Sequence, residues 1–514
     1  MTSTARRGNL AELVRHAAES FGDKPALIHR ETSTSWSELD RLVDAAAAGL
    51  RALGLVSGDR VALQLGNTLD FPVAYFGALR AGLVAVPLNP GYTRPELHHA
   101  LGDSGARALV TTPGSVATAT SLAGELDGLT YVLCSGPAPT GTLSWAELLE
   151  RGAAAGRVTS HAGGEDLAVL LYTSGTSGQP KGAMLPHRAL LANLEQTAQI
   201  EPPVVTADDV VLLVLPLFHV YGLSAGLGAV VAHGATGVLI ERFEPVHTLA
   251  EIRRHAVTNI VGAPPMYLAW SMLPDVGEAF SCVRLALSGA APLPPAVLHR
   301  VLEVTGHHIF EGYGLTETAP VLTTTLRSDV AKPGSIGRPI PGVELRLVDE
   351  QGRPVVEGDP GEICVRGANV FQGYWPGAAD GPDRDGWWAT GDVALVDEDG
   401  DLHLVDRRTE LVLVSGFNVY PREVEDVLVA HPEVQEAAVL GISDAYTGES
   451  VKALMVLAPG ASLSAEQVAA HCARSLARFK CPTVVQFVAE LPHSATGKVS
   501  KGQLRELFGA AHVN

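Results

Sequence analysis

The stretch Tyr172-Thr-Ser-Gly-Thr-Ser-Gly-Gln-Pro-Lys-Gly182 decides the fold prediction, and it follows an apolar run, Leu167-Ala-Val-Leu-Leu171, that is typical of a buried strand. Its three glycines allow backbone N–H groups to approach an anion without interference from Cβ atoms. Four hydroxyls add hydrogen-bond donors, and Lys181 adds a compact positive charge. Pro180 stands where a Walker A loop has a glycine. The stretch therefore predicts a polyphosphate-binding loop of another kind, with a flexible Gly/Ser linker as the alternative.

The bulk composition limits the size, the partners and the compartment of the protein. A chain of 514 residues with 46% hydrophobic content can bury a large core and should form two or more domains. The net charge of −19 argues against a nucleic-acid partner and against a polybasic membrane anchor. The five cysteines form no C-x-x-C pair, which fits a reducing compartment without a disulfide framework or a zinc site. We therefore expect a cytoplasmic protein.

One uncharged run, Val210 to Ile240, is long enough to suggest a membrane span. However, Pro216 and several glycines and histidines interrupt it. A strand, a loop, a small-residue helix and a second strand account for it better, because strands covered on both faces are continuous apolar runs. The sequence therefore predicts no transmembrane segment.

The order of helical and strand patterns predicts the fold class. Amphipathic helices are expected over Leu10–Phe21 and Trp36–Leu53. Short apolar strands, separated by helical stretches in the βαβα pattern of parallel sheets, are expected at Leu167–Leu171, Val210–Leu215, Gly237–Ile240, Asn259–Gly262, Arg284–Leu287 and His308–Phe310. Gly/Pro turns and brief strands after residue 335 indicate a small β-rich subdomain, and a compact α+β segment follows residues 406–410. The prediction is an α/β protein with a smaller α+β domain at its C-terminal end.

Two motifs after predicted strands carry groups suited to a nucleotide. In Glu311-Gly-Tyr-Gly-Leu-Thr-Glu-Thr318, the ring of Tyr313 can stack on a purine. Thr316 can bond a phosphate oxygen and Glu317 can hold Mg²⁺. Gly386-Trp-Trp-Ala-Thr-Gly-Asp392 ends in a carboxylate that can accept hydrogen bonds from two ribose hydroxyls. An ordinary turn is the alternative for each motif.

Three further segments are candidates for binding or chemistry. Leu215-Pro-Leu-Phe-His-Val-Tyr-Gly-Leu223 carries His219 after a buried strand, where a histidine is more often structural than catalytic. Ser288-Gly-Ala-Ala-Pro292 is another small-residue strand exit, and α/β folds bind ligands at the carboxyl ends of parallel strands. Leu491-Pro-His-Ser-Ala-Thr-Gly-Lys498 brings a lysine to the chemistry only if the last domain folds over the first.

Together these motifs resemble those of the adenylate-forming (ANL) superfamily, which contains acyl-CoA synthetases, peptide-synthetase adenylation domains and firefly luciferases. The resemblance covers nearly the whole chain and is to the acyl-CoA synthetase, or fatty-acid–CoA ligase, branch. The core motifs occur in family order at 172–182, 215–223, 312–318, 390–392, 406–407, 418–425 and 495–498. The resemblance implies a large N-terminal domain (1–406) with parallel-sheet αβαβα subdomains and a small β-barrel-like subdomain. A hinge (407–409) and a small mobile α+β lid domain (410–514) would follow.

The resemblance also implies roles for individual residues. The ATP and AMP site would comprise Thr173, Ser174, Gly175, Thr176, Ser177, Gly178, Lys181, Gly289, Ala290, Ala291, Gly312, Tyr313, Gly314, Asp392 and Arg407. Mg²⁺ would bind near Thr173 and Glu317, and the catalytic residues would be Lys498, His219, Glu317 and Thr316. The acyl pocket would be lined by His219, Val220, Tyr221, Gly222, Leu223, Gly262 and Ser288. The CoA path would pass Ser415, Gly416 and Lys480, and Thr409 occupies the hinge position where the family usually has Asp or Lys.

These implied roles predict an AMP-forming acid–thiol ligase. It would use ATP to convert a carboxylic acid to an acyl-adenylate and pyrophosphate, and would then transfer the acyl group to CoA with release of AMP. The expected cofactor is Mg²⁺, and the expected partners are the acid, ATP and CoA, with no nucleic acid. A carrier protein as the acceptor, and a homodimer, stay open. A non-catalytic binding protein is the alternative from another class, but it should have lost Lys498 or Glu317, and both are present.

The predicted acyl pocket favours an acid with an apolar tail. The segments that should line it, Val220–Gly234, Gly262–Met272 and Ser288–Leu293, contain no Arg or Lys. A second carboxylate, as in malonate, would therefore be buried without a partner, which is unfavourable. Gly222, Ala225, Gly226 and Gly228 suggest a roomy, smooth wall for an alkyl chain. A medium- to long-chain fatty acid is expected, and a cinnamate- or coumarate-like aryl acid is the alternative.

Overall fold

The computed structural model describes residues 8–173, 180–349, 351–356, 358–407, 410–414, 417–444, 447–476, 478–493 and 499–508. The chain forms two compact units. Unit 1 comprises Met1–Gly175, Gln179–Glu344 and Arg366–Trp388, and unit 2 comprises Thr176–Gly178, Leu345–Val365 and Ala389–Asn514. The predicted domain boundary at residue 406 and the hinge at 407–409 remain predictions.

Unit 1 alternates strands and helices along most of its length. Its strands are β1 (Pro25–His29), β2 (Thr32–Ser35), β3 (Arg60–Gln64), β4 (Val84–Pro87), β5 (Ala108–Thr111), β6 (Tyr131–Cys134), β7 (Leu143–Ser144), β8 (Leu167–Thr173), β9 (Lys181–Pro186), β10 (Val210–Leu213), β11 (Thr236–Leu239), β12 (Asn259–Gly262), β13 (Leu285–Ser288), β14 (Ile309–Gly314), β15 (Val321–Thr324) and β16 (Arg338–Pro339). Its α-helices are α1 (Glu12–Phe21), α2 (Trp36–Ala52), α3 (Asp70–Arg80), α4 (Arg94–Ser104), α5 (Val116–Ala123), α6 (Trp145–Ala155), α7 (His187–Thr197), α8 (Ala229–His233), α9 (Pro245–Arg254), α10 (Pro264–Ser271), α11 (Val276–Ala279) and α12 (Pro295–Thr305).

Two sheets organise unit 1. A seven-stranded sheet has the order β7-β6-β5-β3-β4-β8-β9, and a nine-stranded sheet has the order β16-β15-β14-β13-β12-β10-β11-β1-β2. The central strands of both sheets pair in parallel, whereas β9 pairs antiparallel with β8, and β15 pairs antiparallel with β14. Parallel strands place their carboxyl ends on one edge, where loops can build a binding site. The segments after β8, β10, β13 and β14 carry most of the predicted site.

Local sequence explains these elements. Helix α2 begins with a capping box, in which the amide of Glu38 donates to the Ser35 hydroxyl at 3.2 Å and the amide of Ser35 donates to the Glu38 carboxylate at 2.9 Å. Its buried side chains recur at the helical period, as at Leu39, Val43 and Leu50. Strands β4, β5, β11 and β12 are buried along their whole length, as expected for strands that helices cover on both faces.

Unit 2 contains a small antiparallel sheet and an α+β segment. The antiparallel sheet has the order β17-β18-β19-β20, formed by β17 (Val343–Val348), β18 (Gly361–Gly367), β19 (Trp388–Val396) and β20 (Leu402–Arg407). The α+β segment contains β21 (Val412–Val414), β22 (Phe417–Val419), β23 (Val434–Asp444), β24 (Gly448–Leu457), β25 (Val484–Phe487), α13 (Pro421–Val429), α14 (Ala465–Cys472) and α15 (Lys501–Phe508). The predicted fold class, mixed α/β with parallel sheets, a small β-rich part and a small C-terminal α+β part, is confirmed.

One element differs from the sequence prediction. The segment expected to form a small-residue helix begins as a π-helix over Tyr221–Gly228 and continues as the α-helix α8. A π-helix widens the turn by one residue and is frequent at functional sites. This one lies within the predicted acyl-binding segment.

Candidate active site

The phosphate-loop stretch is held by a two-stranded hairpin. Strands β8 and β9 pair antiparallel, and Thr173 stands opposite Lys181 in their register. Both residues therefore lie at the loop end of the hairpin, where the connecting loop begins and ends. The loop residues Ser174, Gly175, Thr176, Ser177 and Gly178 lie outside the described part of the chain.

The ammonium group of Lys181 lies at the surface of unit 1 between an acidic and an aromatic side chain. Its Nζ is 3.2 Å from a carboxylate oxygen of Asp380 and 5.3 Å from the ring centroid of Tyr374. The lysine side chain is 43% exposed and Asp380 is 69% exposed, so water screens this ion pair and makes it weak. A phosphate group can therefore replace Asp380 as the partner of Lys181 at little cost.

Glu317 lies in a single 3₁₀ turn, Thr316–Thr318, between β14 and β15. The residue is only 6% exposed, and the phenol of Tyr374 donates a hydrogen bond to its Oε1 at 2.6 Å. Its backbone carbonyl accepts the amide of Phe371 at 2.8 Å. Thr316, in the same turn, is half-buried. The turn thus presents a fixed, buried carboxylate.

The donor set fits the predicted Mg²⁺ ion. Magnesium prefers oxygen ligands and is usually held by one or two carboxylates together with substrate phosphates. Glu317 supplies a buried carboxylate, whose Oε1 accepts the phenol of Tyr374. Thr173 supplies a hydroxyl at the end of β8. These two residues could hold the ion that accompanies ATP.

The exits of β13 and β14, which carry the predicted adenine-binding motifs, lie side by side. The strands pair in parallel, with Ser288 opposite Glu311. The buried Glu311 carboxylate accepts the amide of Leu293 at 3.1 Å and so ties the loop after β13 to β14. This brings Gly289, Ala290 and Ala291 next to Gly312, Tyr313 and Gly314 along the sheet edge.

Gly314 is required by close packing. A Cβ atom at this position would lie 1.9 Å from the carbonyl oxygen of Pro320, closer than any side chain allows. Ala290 has a positive φ of 67°, a conformation that alanine adopts only under constraint from its surroundings. Small residues and a constrained backbone thus form the surface at the two strand exits. Such a surface would allow a flat base to approach the backbone closely.

The predicted acyl segment contains a neutral histidine. The Nδ1 atom of His219 accepts the amide of Tyr221 at 3.3 Å, and the ring is half-buried. Burial lowers its pKa to about 4, because the protein interior disfavours the charged imidazolium. His219 is therefore neutral near pH 7 and adds no positive charge to the pocket.

Tyr221 forms a flat wall beside the β13 exit. A Cβ atom placed on Gly289 would lie 2.9 Å from Cε1 of the Tyr221 ring, so the ring packs directly on the glycine backbone. Burial raises the pKa of Tyr221, and the nearby Glu311 carboxylate raises it further. The segment around it is also anchored, since Ser224 donates to the carbonyl of Ala319 at 2.9 Å. Val220 and Leu223, in the same segment, are buried.

The interpretation of the glycines as a roomy wall was wrong. A Cβ atom on Gly222 would lie 2.4 Å from the carbonyl oxygen of Pro216, and one on Gly226 would lie 3.2 Å from Leu213. Gly222 thus lets the π-helix pack against the segment that follows β10, and Gly226 lets it pack against β10 itself. A Cβ atom on Gly228 would lie 3.4 Å from the side chain of Leu194, a residue of α7. Their small size therefore serves packing, and the acyl pocket along this segment stays a prediction.

Gly262 and Ser288 are neighbours at the ends of β12 and β13. A Cβ atom on Gly262 would lie 3.0 Å from the ring of Tyr267, whose hydroxyl donates to the carbonyl of Leu287 at 2.6 Å. Ser288 is fully buried, and its hydroxyl has no hydrogen-bond partner among the described residues. The two predicted pocket residues therefore lie together in a tightly packed region.

Three of the remaining predicted residues, Asp392, Arg407 and Lys480, lie in unit 2. Asp392 and Arg407 stand opposite each other in the register of β19 and β20, and Asp392 is buried, whereas only the backbone of Arg407 is described. The Nζ atom of Lys480 lies 2.6 and 2.7 Å from the two carboxylate oxygens of Glu423. The predicted hinge, CoA-path and catalytic residues Thr409, Ser415, Gly416 and Lys498 lie outside the described residues.

Within unit 1, the structure brings the predicted phosphate lysine and the predicted metal carboxylate to a shared neighbour, Tyr374. No pattern in the sequence points to Tyr374 or Asp380, since they lie almost 200 residues beyond Lys181. An aromatic residue in Gly373-Tyr-Trp-Pro376 is the single local hint, and a turn explains it equally well.

Comparison with known proteins identifies the family. The family model described as "AMP-binding enzyme" matches residues 14–375, and that described as "AMP-binding enzyme C-terminal domain" matches residues 423–498. The chain belongs to the AMP-binding enzyme family.

Individual relatives agree with this assignment. A long-chain-fatty-acid–CoA ligase of Yersinia pestis is 37% identical over 98% of this chain and 94% of its own. A feruloyl-CoA synthase of an Amycolatopsis species is 38% identical over 94% of this chain and 96% of its own. The crystal structure of ATP-bound MatB from Rhodopseudomonas palustris superposes with a TM-score of 0.88 at 34% identity, covering 97% of this chain and 99% of that one. The predicted superfamily and the predicted enzyme class, an AMP-forming acid–thiol ligase, are confirmed. In the part of the chain that the structure describes, no helix has the length and apolarity needed to cross a membrane.

Proposed function

We propose that the protein converts a carboxylic acid with an apolar tail, a medium- to long-chain fatty acid, to its CoA thioester through an acyl-adenylate. The observation that carries the proposal is the convergence of Lys181 and Glu317 on Tyr374 at the loop end of the β8–β9 hairpin. A cation and a buried carboxylate at the end of a phosphate loop are suited to a Mg²⁺-bound polyphosphate.

The chemistry follows from the weakness of a carboxylate as an electrophile. Its oxygen attacks the α-phosphorus of ATP, pyrophosphate leaves, and the acyl carbon gains AMP as a leaving group. Glu317 and Thr173 would hold Mg²⁺, which would supply neutralising charge to the phosphate oxygens. Lys181 adds a mobile positive charge beside the departing pyrophosphate, and Thr316 offers a hydroxyl to the α-phosphate. Asp392, with Arg407, holds the ribose hydroxyls.

The second half-reaction needs a different set of groups at the same centre. Lys498 bridges the acid and the α-phosphate during adenylation, and rotation about Thr409 then exchanges it for the CoA path formed by Ser415, Gly416 and Lys480. The ion pair of Lys480 with Glu423 would open if the ammonium engages a CoA phosphate. A small domain that alternates between two positions allows one site to run two chemistries.

The charge of the pocket supports an apolar acid. The segments around His219, Gly262 and Ser288 carry no Arg or Lys, and the lowered pKa of His219 leaves that ring neutral. A dicarboxylate would bury an unpaired charge there. The Yersinia pestis relative, named a long-chain-fatty-acid–CoA ligase, agrees with this substrate class.

An aryl acid is the second candidate. The flat ring of Tyr221, held against Gly289, is a surface on which an aromatic acid can pack. The Amycolatopsis relative, named a feruloyl-CoA synthase, supports this alternative. The two candidates predict opposite rankings of octanoate and coumarate.

Pyrophosphate release tests the proposal directly. The purified protein would be incubated with ATP and Mg²⁺ and with straight-chain fatty acids or aryl acids, with and without CoA. Release that depends on a fatty acid, with acyl-CoA formed when CoA is present, supports the proposal. Adenylate formation without a CoA product would instead indicate a carrier-protein acceptor, and preference for coumarate would indicate the aryl alternative.

Lys498→Ala separates the two half-reactions. We expect it to remove adenylate formation and to leave thioester formation from preformed acyl-AMP largely intact, because Lys498 acts only in the first step. Equal loss of both half-reactions would contradict this role.

A further inference from the structure

Residues 371–380, which we call the strap, are fixed along the β8–β9 hairpin. Three backbone hydrogen bonds join it to β9. The amide of Gln372 donates to the carbonyl of Met184 at 3.0 Å, and the amide of Met184 donates to the carbonyl of Gly373 at 3.0 Å. The amide of Trp375 donates to the carbonyl of Gly182 at 2.8 Å. The strap then turns back on itself, since Tyr374 and Ala379 exchange two backbone hydrogen bonds of 2.7 and 3.0 Å. Backbone bonds on both sides of Tyr374 thus fix where its side chain begins.

The side chain of Tyr374 contacts two groups of the phosphate site at once. Its hydroxyl donates to Oε1 of Glu317 at 2.6 Å, and its ring lies below the Lys181 ammonium, 5.3 Å from Nζ to centroid. Phe371 packs edge-on against the ring at 5.1 Å, and its amide donates to the Glu317 carbonyl at 2.8 Å. The same strap therefore holds the backbone and the carboxylate of Glu317.

The chemistry of a phenol suits both contacts. As a neutral donor, it orients the carboxylate and leaves its negative charge available for a metal ion. The face of the ring attracts an ammonium through its quadrupole without neutralising its charge. Asp380, by contrast, neutralises Lys181 but is exposed and easily replaced by a phosphate. The ring can therefore keep Lys181 near the site while its ionic partner changes.

We propose that Tyr374 is a positioning residue of the phosphate site, which fixes the Glu317 carboxylate for the metal ion through its hydroxyl and supports the Lys181 ammonium through its ring. The proposal rests on the proposed function, because it takes the ligand to be ATP with Mg²⁺. It assigns two separable tasks to one side chain: the hydroxyl acts on the metal-dependent part of binding, and the ring acts on the phosphate charge itself.

Calorimetric titration with ATP, in the absence of any acid, separates these tasks. Tyr374→Phe removes only the hydroxyl, and we expect it to weaken ATP binding about tenfold in the presence of Mg²⁺, since a hydrogen bond to a charged group is lost. In EDTA the same variant should bind ATP within about twofold of the wild type, because the ring remains. Tyr374→Leu should weaken binding under both conditions. Tyr131→Phe, which removes a phenol bonded to the carbonyl of Leu53 at 2.6 Å, is the matched control and should bind as the wild type does.

The outcomes distinguish the inference from the proposed function. If Tyr374→Phe weakens ATP binding equally with and without Mg²⁺, or only lowers the melting temperature, the residue is structural and the inference fails. If it binds ATP as tightly as the wild type in Mg²⁺, the inference also fails, and the proposed function stands. If the wild type itself does not bind ATP with Mg²⁺, the proposed function fails and the inference fails with it.

Discussion

Replacing His187 by glutamine should reduce the loss of stability that unit 1 undergoes between pH 7 and pH 5. His187 is the first residue of α7 and is 1% exposed. Its Nδ1 accepts the amide of Leu10 at 3.0 Å, a bond that requires a ring nitrogen without a proton. Burial lowers the pKa of His187 to about 4, although the nearby Asp166 carboxylate acts in the opposite direction.

The sign and the magnitude follow from proton linkage. In the unfolded chain the imidazole has its ordinary pKa of 6.5, whereas in the native state its pKa is about 4. Between these two pH values the unfolded state therefore binds a proton that the native state does not bind. Stability therefore falls as the pH decreases through this window. The full shift corresponds to about 3 kcal/mol, and about 2 kcal/mol of it is lost between pH 7 and pH 5.

Urea unfolding of the wild type and His187→Gln at the two pH values measures the effect. All six tryptophans lie in unit 1, so tryptophan fluorescence follows the unit that contains His187. Glutamine retains an acceptor for the Leu10 amide but does not titrate, and we expect the variant to lose about 2 kcal/mol less than the wild type. The exposed His16, changed to glutamine, is the control and should leave the pH dependence unchanged. Equal losses in the wild type and His187→Gln would refute the reasoning.

Three further changes test packing, charge and substrate choice. Arg80→Met should lower the free energy of unfolding by about 3–5 kcal/mol in urea titrations, because a guanidinium that is 2% exposed pairs with Asp40 at 2.6 Å and Asp44 at 2.8 Å. Arg157 also pairs with Asp44, at 3.0 Å, but its side chain is 71% exposed, so Arg157→Met should lower the free energy of unfolding by less than about 1 kcal/mol. Equal losses of stability in the two variants would contradict the burial argument. Gly222→Ala should destabilise unit 1 by about 1–3 kcal/mol and slow adenylation, because the added methyl overlaps a backbone carbonyl; a wild-type melting curve and rate would contradict the packing described. Across a series of fatty acids, kcat/KM should rise about fourfold per methylene before a cut-off, since each buried methylene contributes about 0.8 kcal/mol; a flat series would exclude an apolar tail-binding site.

The sequence predicts the parallel-sheet part of unit 1 well because its strands are short apolar runs between helical segments. Asn259–Gly262 matches β12 residue for residue, and most other predicted strands are shifted by one or two positions at an end. Strand ends depend on hydrogen bonds that local composition does not specify. The π-helix over Tyr221–Gly228 could not be predicted, since its glycines are explained only by tertiary packing, Gly222 against the carbonyl of Pro216 and Gly226 against Leu213.

In the candidate site, too, local motifs could be predicted from the sequence, whereas contacts made by tertiary structure could not. Glu317 and Lys181 carry their chemistry in recognisable motifs, and the sequence predicts them as site residues. Tyr374 reaches Glu317 across 57 positions of the chain, through a strap whose place is set by hydrogen bonds to β9. Such a contact is a product of tertiary structure. The neutral state of His219 likewise depends on burial, which a lone histidine in a sequence does not reveal.

Isotope transfer from the acid to AMP tests the central claim most directly. The protein would be incubated with ATP, Mg²⁺, CoA and a fatty acid whose carboxylate oxygens carry ¹⁸O, and the nucleotide product would be analysed by mass spectrometry. Attack of the carboxylate on the α-phosphorus predicts AMP that contains a labelled oxygen, with unlabelled pyrophosphate. Labelled phosphate formed together with ADP, or AMP without label, would contradict the acyl-adenylate mechanism.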